Sequence, residues 1–491
     1  MDATWIWLGV AIYIVFAVVT ALLSRHDAQG TMSGYFLGNR QMGGFVSAMS
    51  YSATTYSAFM LIGLAGLTYS GGVGALGFEL IYLCGVSLVL IFGPRFWLAG
   101  KKFGYVTPSE MLGDRYEQKS VAVAAALCSL IFLIPYAAVQ LAGVGYLMSG
   151  MSDGAITFTS GTILATILAI VFSMVAGLNS VAWTDSLQAI VMVISATLVV
   201  IFVVYELGGL GSFFGTLHSD HSGALSVPGN GFFSFSTFLG LTLPWLFFSL
   251  SNPQVSQRLF TPRSFGDMRR MLLGFMIFGF IYTLVAVTWG FAATIKFPGL
   301  ENGDLATPKL LSSDIVPPVL GIIVMIGIIA AAVSTIDSIM LTLSSMFTRD
   351  VYAVAKKSTT DKQQLLVGKI VLPVVAVLAY LFAQLDLNLI AVLSVSASAG
   401  LLVMVPPLVG AFFWRRGTAA GAVSAIVIGG LVVFGLEFSS TEFLGQGSGV
   451  WGLILSVVIF VGVSLATPTP TGRAQEFMDH VSQKLKAHSA V

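Results

Sequence analysis

Ser334, Thr335, Asp337 and Ser338 place four oxygen-bearing side chains within about one helical turn. They stand in the middle of an apolar run over residues 316–347, where lipid would reward none of them. A carboxylate at bilayer depth costs about 2.5–3.5 kcal/mol even on the lenient insertion scale, so it is normally paired or wetted. Hard cations take oxygen ligands. The chemistry on offer is therefore the holding of a small cation on one helix face. The plainer alternative has the hydroxyls bonding back to carbonyls one turn earlier, with Asp337 capping something structural.

Asp185 adds a second carboxylate, in Trp183-Thr184-Asp185-Ser186-Leu187-Gln188. Alone, it reads as an acidic residue favoured at a helix N-terminus by the macrodipole. Together with Asp337 it could build a second cation site that includes Ser334 and Ser338. Two such carboxylates repel unless a cation lies between them or one keeps its proton, so the pair also permits proton coupling. Tyr136 and Gln140 lie one turn apart after Pro135 and either line a cavity or pack with satisfied polar groups. Glu79 reads as an acid reached by solvent through an outer vestibule.

The elements that must position these groups are membrane spans. The chain has 491 residues, is 56% hydrophobic and carries only 9% charged residues. A soluble domain would carry about 25% charge. A mean hydropathy of +0.91 agrees. Runs of 20 or more apolar residues exclude an outer-membrane barrel, whose strands alternate. The reading is an all-α membrane protein with thirteen transmembrane helices, near 4–23, 43–70, 75–98, 120–149, 157–178, 182–207, 233–257, 268–295, 316–347, 364–384, 388–413, 418–437 and 449–467. With the N-terminus outside and the C-terminus inside, only Lys296 and Lys309 of the 23 Lys and Arg residues fall outside, as the positive-inside rule asks. Asp2 and the lack of a basic leader point to a retained first span. Cys84 and Cys128 sit in apolar runs and read as small hydrophobes. No GxxxxGK[ST] motif occurs, so neither nucleotide nor nucleic acid is an expected partner. No histidine lies in a span, which leaves a histidine proton relay unsupported.

Two spans look broken. Hydroxyl residues fill the centre of the second, Ser47 to Phe59. Pro244, Asn252 and Pro253 interrupt the seventh. Interruptions five spans apart point to two repeats entering from opposite faces. That divides the chain into a first helix and inner loop (1–42), repeat one (43–207, spans 2–6), an outer loop and repeat two (208–413, spans 7–11), two peripheral helices (414–467) and a cytoplasmic tail (468–491), partly helical. An unwound second span would free carbonyls near Ala53 and Tyr56. Facing Ser334, Thr335 and the Ala331 carbonyl, they make two hydroxyls and three carbonyls, which fits the about five or six oxygens that Na⁺ needs by analogy with other hard cations.

The chain resembles the sodium/solute symporter family over about residues 5–465. The resemblance is carried by Tyr35-Phe36-Leu37-Gly38, by Trp183-Thr184-Asp185 with Gln188, by Gln257-Arg258, and by Ser334-Thr335 with Asp337-Ser338 leading to Arg349-Asp350-Val351-Tyr352. It implies Na⁺-coupled uptake by alternating access on a LeuT-type fold in a plasma (inner) membrane, and no enzymatic activity. It maps a main sodium site onto Ala53, Tyr56, Ala331, Ser334 and Thr335. A second site, present in some members, maps onto Asp185, Ser334, Asp337 and Ser338, so one or two Na⁺ ions move per cycle. The solute would sit between spans 2, 4 and 7, lined by Thr54, Thr55, Ser57, Phe59, Tyr136, Gln140, Phe248, Ser251 and Asn252. No Arg or Lys lies in the middle of these spans, unlike the sialic-acid carriers. Thr55 stands where the proline carriers have an acid. Tyr35 to Arg40 and Gly100 to Gly104 look most like the pantothenate and monocarboxylate branch, which implies a small organic acid. The rivals are a proton-coupled carrier on the same scaffold and a transporter-like sensor without net transport.

Overall fold

A computed structural model describes residues 1–23, 31–228, 230–356, 358–385, 389–439 and 442–489. Of the residues invoked above, Arg25, His26 and Lys357 lie outside that set. The described chain is almost wholly helical. In chain order the main helices are α1 (Ala3–Leu23), α2 (Gly44–Thr55), α3 (Phe59–Gly71), α4 (Gly74–Phe103), α5 (Lys119–Met151), α6 (Phe158–Met174), α7 (Val181–Glu206) and α8 (Phe235–Ser251). There follow α9 (Phe265–Lys296), α10 (Pro318–Met346), α11 (Asp361–Ala383), α12 (Ile390–Phe413), α13 (Ala419–Phe438), α14 (Ser448–Ala466) and α15 (Arg473–Ser489). Among the described residues nine helices are long and apolar enough to cross a bilayer, and α1, α3 and α6 are shorter apolar pieces. Their outward faces expose Leu90, Ile131, Ile277, Leu431 and Val458, a surface that lipid covers at no cost.

Run straight as one helix of 49 residues, the stretch Phe158–Glu206 would span about 74 Å, more than twice the hydrocarbon thickness. The contacts turn back instead. Thr159 reaches Gln384 just past the end of α11. Ser173 accepts from Tyr35, whose neighbour Phe36 packs near Gly368 in the first half of α11. Ser344, near the end of α10, bonds the same Gly368. Beyond the reversal Asp185 meets Ser334 and Met192 lies on Gly327, progressively further from that end of α10. The segments α6 and α7 are thus two antiparallel crossings.

Both expected breaks are present. The helix α2 starts where the Gly44 N–H donates to Asp267 Oδ1 (2.9 Å) and stops at Tyr56, with φ −90° and ψ 80°. The helix α8 stops at Asn252, extended at ψ 111° as a residue before proline must be, and Pro253 opens a short turn, Pro253–Ser256. Gly290 lets α9 close on α3: a Cβ there would stand 2.5 Å from both the Ala65 carbonyl oxygen and the Thr68 Cβ.

Three features were not foreseen. The segment at 208–232, expected as an outer loop, contains a helix, Gly209–Asp220. Glu79 is buried and accepts from Trp245 Nε1 (3.2 Å), so it does not face a wet vestibule; α8 lies across it. The tail is a docked helix. In α15 the fully buried Phe477 stacks on Phe103 of α4 and meets Phe412 of α12, and Arg473 pairs with Asp114 (2.9 Å) on the Pro108–Arg115 helix.

Candidate functional site

The break in the second span exposes backbone at the depth where α10 passes. The Thr335 hydroxyl donates to the Ala53 carbonyl at 3.1 Å, tying α10 to the last turn of α2. Past the break, Ser57 Oγ accepts the Phe59 N–H (3.2 Å) and caps the outer half. Tyr56 is held by its ring, which stacks on Phe275 and Phe278 at 5.0 and 5.8 Å. Ser334 donates to Asp185 Oδ1 at 2.5 Å. The Ser334 proton points away, toward the Asp185 carboxylate, while the Thr335 proton points at the Ala53 carbonyl and would have to turn aside for an ion held by those two oxygens. Ala331 lies one turn earlier on α10, buried.

Asp185 is buried near the start of α7, and it also accepts from Ser50 of α2 at 3.0 Å. Its carboxylate thus joins α2, α7 and α10. Ser338 is turned elsewhere. Its hydroxyl oxygen lies 3.1 Å from Thr54 Oγ1 and 2.6 Å from Arg258 Nη2. The residues expected to form a second cation site fall into two adjoining groups, Asp185 with Ser334 and Ser338 with Arg258. Asp337 is buried, and its Oδ1 has no hydrogen-bond partner. It faces a cavity of about 20 Å³, room for one water-sized particle, that is also lined by Tyr13, Thr184, Asp185, Gln188 and Ser334. Among the described residues no cluster of three or more His, Cys, Asp or Glu side chains forms, so a cation here depends on carbonyls, hydroxyls and single carboxylates.

Arg258 is the residue that sequence reasoning misplaced. It ends the broken seventh span and counts, by position, as an inner-loop charge. In the fold it is 4% exposed, carried inward by the helical turns after Asn252. The neighbouring Gln257 is equally committed: its amide donates to the Val106 carbonyl (2.8 Å) and accepts from Thr342 (2.7 Å).

The residues expected to line the solute are all buried, and they divide. Phe59, Tyr136 and Phe248 gather around Trp245 and Tyr82: Phe59 lies 4.7 Å from Trp245, and Phe248 lies 4.9 Å from Trp245 and 5.7 Å from Tyr136. Both amide atoms of Gln140 have no partner, while the hydroxyls of Tyr136, Tyr51 and Tyr82 make only long contacts, to Ser57 and Ser249. Thr55 bonds back to the Tyr51 carbonyl (2.8 Å), and Thr54 faces Ser338. Ser251 is turned to the Phe247 carbonyl (3.0 Å), and Asn252 to Ser398 on α12 (3.4 Å). Trp245 and Tyr82 complete the aromatic group and were not anticipated, and Glu79, expected in a wet vestibule, joins it through Trp245. The signal for Trp245 was its place directly after Pro244.

The chain is similar to known proteins. The sodium:solute symporter family matches residues 35–429. The sodium/proline symporter of Staphylococcus aureus (strain JH9) is 27% identical over 96% of this chain and 94% of its own length, and that of strain NCTC 8325 gives the same figures. These relatives are proline carriers, not pantothenate or monocarboxylate carriers. Among solved structures, a Na⁺-coupled sialic acid symporter in a substrate-bound outward-open state aligns with a TM-score of 0.78 at 20% identity, over 94% of this chain and 98% of the other. Mhp1, a nucleobase-cation-symport-1 family transporter, gives 0.56 at 14% identity, over 93% and 99%. MhsT in complex with L-phenylalanine gives 0.51 at 16%, over 86% and 98%. These three carry the fold, which is LeuT-like.

Proposed function

The chain belongs to the sodium:solute symporter family, a family of multi-pass membrane transporters and not of enzymes, and on that premise we propose that it imports one small organic solute by alternating access, driven by Na⁺. The observation that carries the reading is the Thr335 hydroxyl 3.1 Å from the Ala53 carbonyl at a mid-membrane helix break. Na⁺ is coordinated by the carbonyls of Ala53, Tyr56 and Ala331 and the hydroxyls of Ser334 and Thr335. Bound there, it braces the broken span against α10 and favours the state that receives solute from outside. Asp185, Asp337 and Ser338, sharing Ser334, form a second cation position beside Arg258. In this reading thirteen spans cross the plasma membrane with the N-terminus outside, and residues 43–207 and 208–413 are the inverted repeats. A membrane potential then adds about 2.3 kcal/mol per charge per 100 mV to the driving force.

The solute lies against Phe59, Tyr136, Gln140 and Phe248, with Thr54, Thr55, Ser57, Ser251 and Asn252 at its margins. Three aromatic rings favour a compact, partly apolar body. The Tyr136 hydroxyl and the free Gln140 amide favour a carboxylate, in keeping with a monocarboxylate or pantothenate-like acid. A second reading, a zwitterion of the proline type, is favoured by Glu79: its Oε1 has no partner, and the carboxylate sits beside Trp245, where an ammonium would meet it. Uptake of labelled pyruvate, pantothenate and proline into proteoliposomes, each with and without an inward Na⁺ gradient, decides between them. Uptake that follows a proton gradient with Na⁺ absent would defeat the sodium reading.

A further inference from the structure

The break in the second span leaves Tyr56 with support on one side only. Its N–H still donates to the Ser52 carbonyl (2.6 Å), so α2 holds its nitrogen side. Its ψ of 80° is about 120° from the helical value, which turns its carbonyl out of the helical row. What fixes that angle must then come from the side chain. The Tyr56 hydroxyl makes no hydrogen bond, so the ring is held by packing alone.

The packing is a socket on α9. Phe275, Phe278, Gly279 and Tyr282 stand at i, i+3, i+4 and i+7, four positions that frame a hole on one helix face. The three rings lie 5.0, 5.8 and 6.3 Å from the Tyr56 ring, and Gly279 is the floor. A Cβ there would stand 1.9 Å from Tyr56 Oη and 2.6 Å from its Cζ, with Leu83 of α4 at 3.0 Å. Only glycine leaves the phenol its place. The same helix touches the inner half of the span without a socket: a Cβ on Gly274 would meet the Ala48 Cβ at 2.7 Å. We propose that the Tyr56 phenol in the Gly279 socket sets the conformation of the break, and through it the presentation of the Tyr56 carbonyl to sodium. Helix α9, which supplies none of the five ligands, thereby tunes sodium affinity. The Tyr56 ring and Gly279 are positioning elements, and their role rests on the main sodium site proposed above.

The half-saturating Na⁺ concentration is read by displacement of ²²Na⁺ on purified full-length protein, with a thermal melt for each variant. Gly279→Ala is expected to raise it about tenfold or more. In a Tyr56→Leu background, where the shorter side chain leaves the socket floor free, the same Gly279→Ala should change it by less than about twofold. Gly274→Ala crowds the same two helices away from the break; it should lower the melting temperature and leave sodium within about twofold of wild type. Equal effects of Gly279→Ala in both backgrounds overturn the proposal, as does a sodium shift from Gly274→Ala as large as that from Gly279→Ala. Should Gly279→Ala fail to fold, two other variants decide. Tyr56→Phe keeps the ring and should stay within about twofold of wild type, while Tyr56→Leu empties the socket and should weaken sodium about fivefold or more; equal values overturn the proposal. No saturable sodium binding by wild type would instead bring down the main site itself, a distinguishable failure.

Discussion

Replacing Thr335 by Val removes one oxygen and keeps the shape of the side chain. In the fold that oxygen gives its proton to the Ala53 carbonyl at 3.1 Å and offers its lone pairs to an ion once that proton turns aside. The loss therefore has two parts of opposite sign. The carbonyl loses its donor, a deficit of about 1 kcal/mol at the low end of the range for a buried group, which the empty protein bears and bound sodium relieves, so it favours binding. The ion loses a ligand. Hydrogen bonds to charged groups serve as the scale for that contact, about 1.5–3 kcal/mol. The net loss is about 0.5–2 kcal/mol, and at about 1.36 kcal/mol per decade the half-saturating Na⁺ concentration should rise roughly two- to thirtyfold. The assay is displacement of ²²Na⁺ by unlabelled NaCl on purified protein, with a thermal melt in high Na⁺ to show that the variant is folded. A half-saturating concentration no higher than that of wild type, in a folded variant, would refute the coordination by α10 and the reasoning built on it.

Asp185→Asn leaves Ser334 and Ser50 with a weaker acceptor and strips one negative charge from the cluster; sodium affinity should fall about tenfold or more, and an unchanged sodium titration would remove Asp185 from the ion's surroundings. Gly290→Val should lower the melting temperature through overpacking of about 1–3 kcal/mol between α9 and α3, and an unshifted melt would mean that the two helices are not held this closely. Burial, with Lys102 and Lys484 nearby, pulls the His480 imidazole below its usual range. A depressed imidazole favours the docked tail when neutral, so docking should weaken as pH falls below about 6.5, seen as a lower protection of the α15 amides, after correction for the intrinsic exchange rate, at about pH 5.5 than at about pH 7.5; equal protection would show that His480 does not report docking. A cysteine at Ala3 should react with impermeant reagent from outside and one at Lys486 only from inside; the reverse pattern would overturn the orientation.

The sequence pattern reached the helical breaks because their causes are local. Proline after Asn252 and a run of hydroxyls around Tyr56 disfavour an unbroken helix wherever they occur. It reached the pairing of Thr335 with Ala53 because a hydroxyl pair and a freed carbonyl at one depth have few other uses. Arg258 was out of reach: hydropathy at the end of a span cannot distinguish a charge that reaches toward water from one folded back among serines. Glu79 failed for the same reason, since only the crossing of α8 decides whether it is wet. The split between Ser338 and Ser334 is a matter of helix rotation by one turn, which spacing alone leaves undetermined. The docking of α15 depends on three aromatic residues far apart in the chain, Phe103, Phe412 and Phe477.

That amphipathic tail lies across separate parts of the helical bundle. Phe477 packs on the C-terminal ends of α4 and α12, while Arg473 holds the short helix that leads into α5. Any rocking of one group against the other must carry this splint along or shear it off. Through Phe477 and Arg473, α15 thus fastens α4, α12 and the Pro108–Arg115 helix to one another.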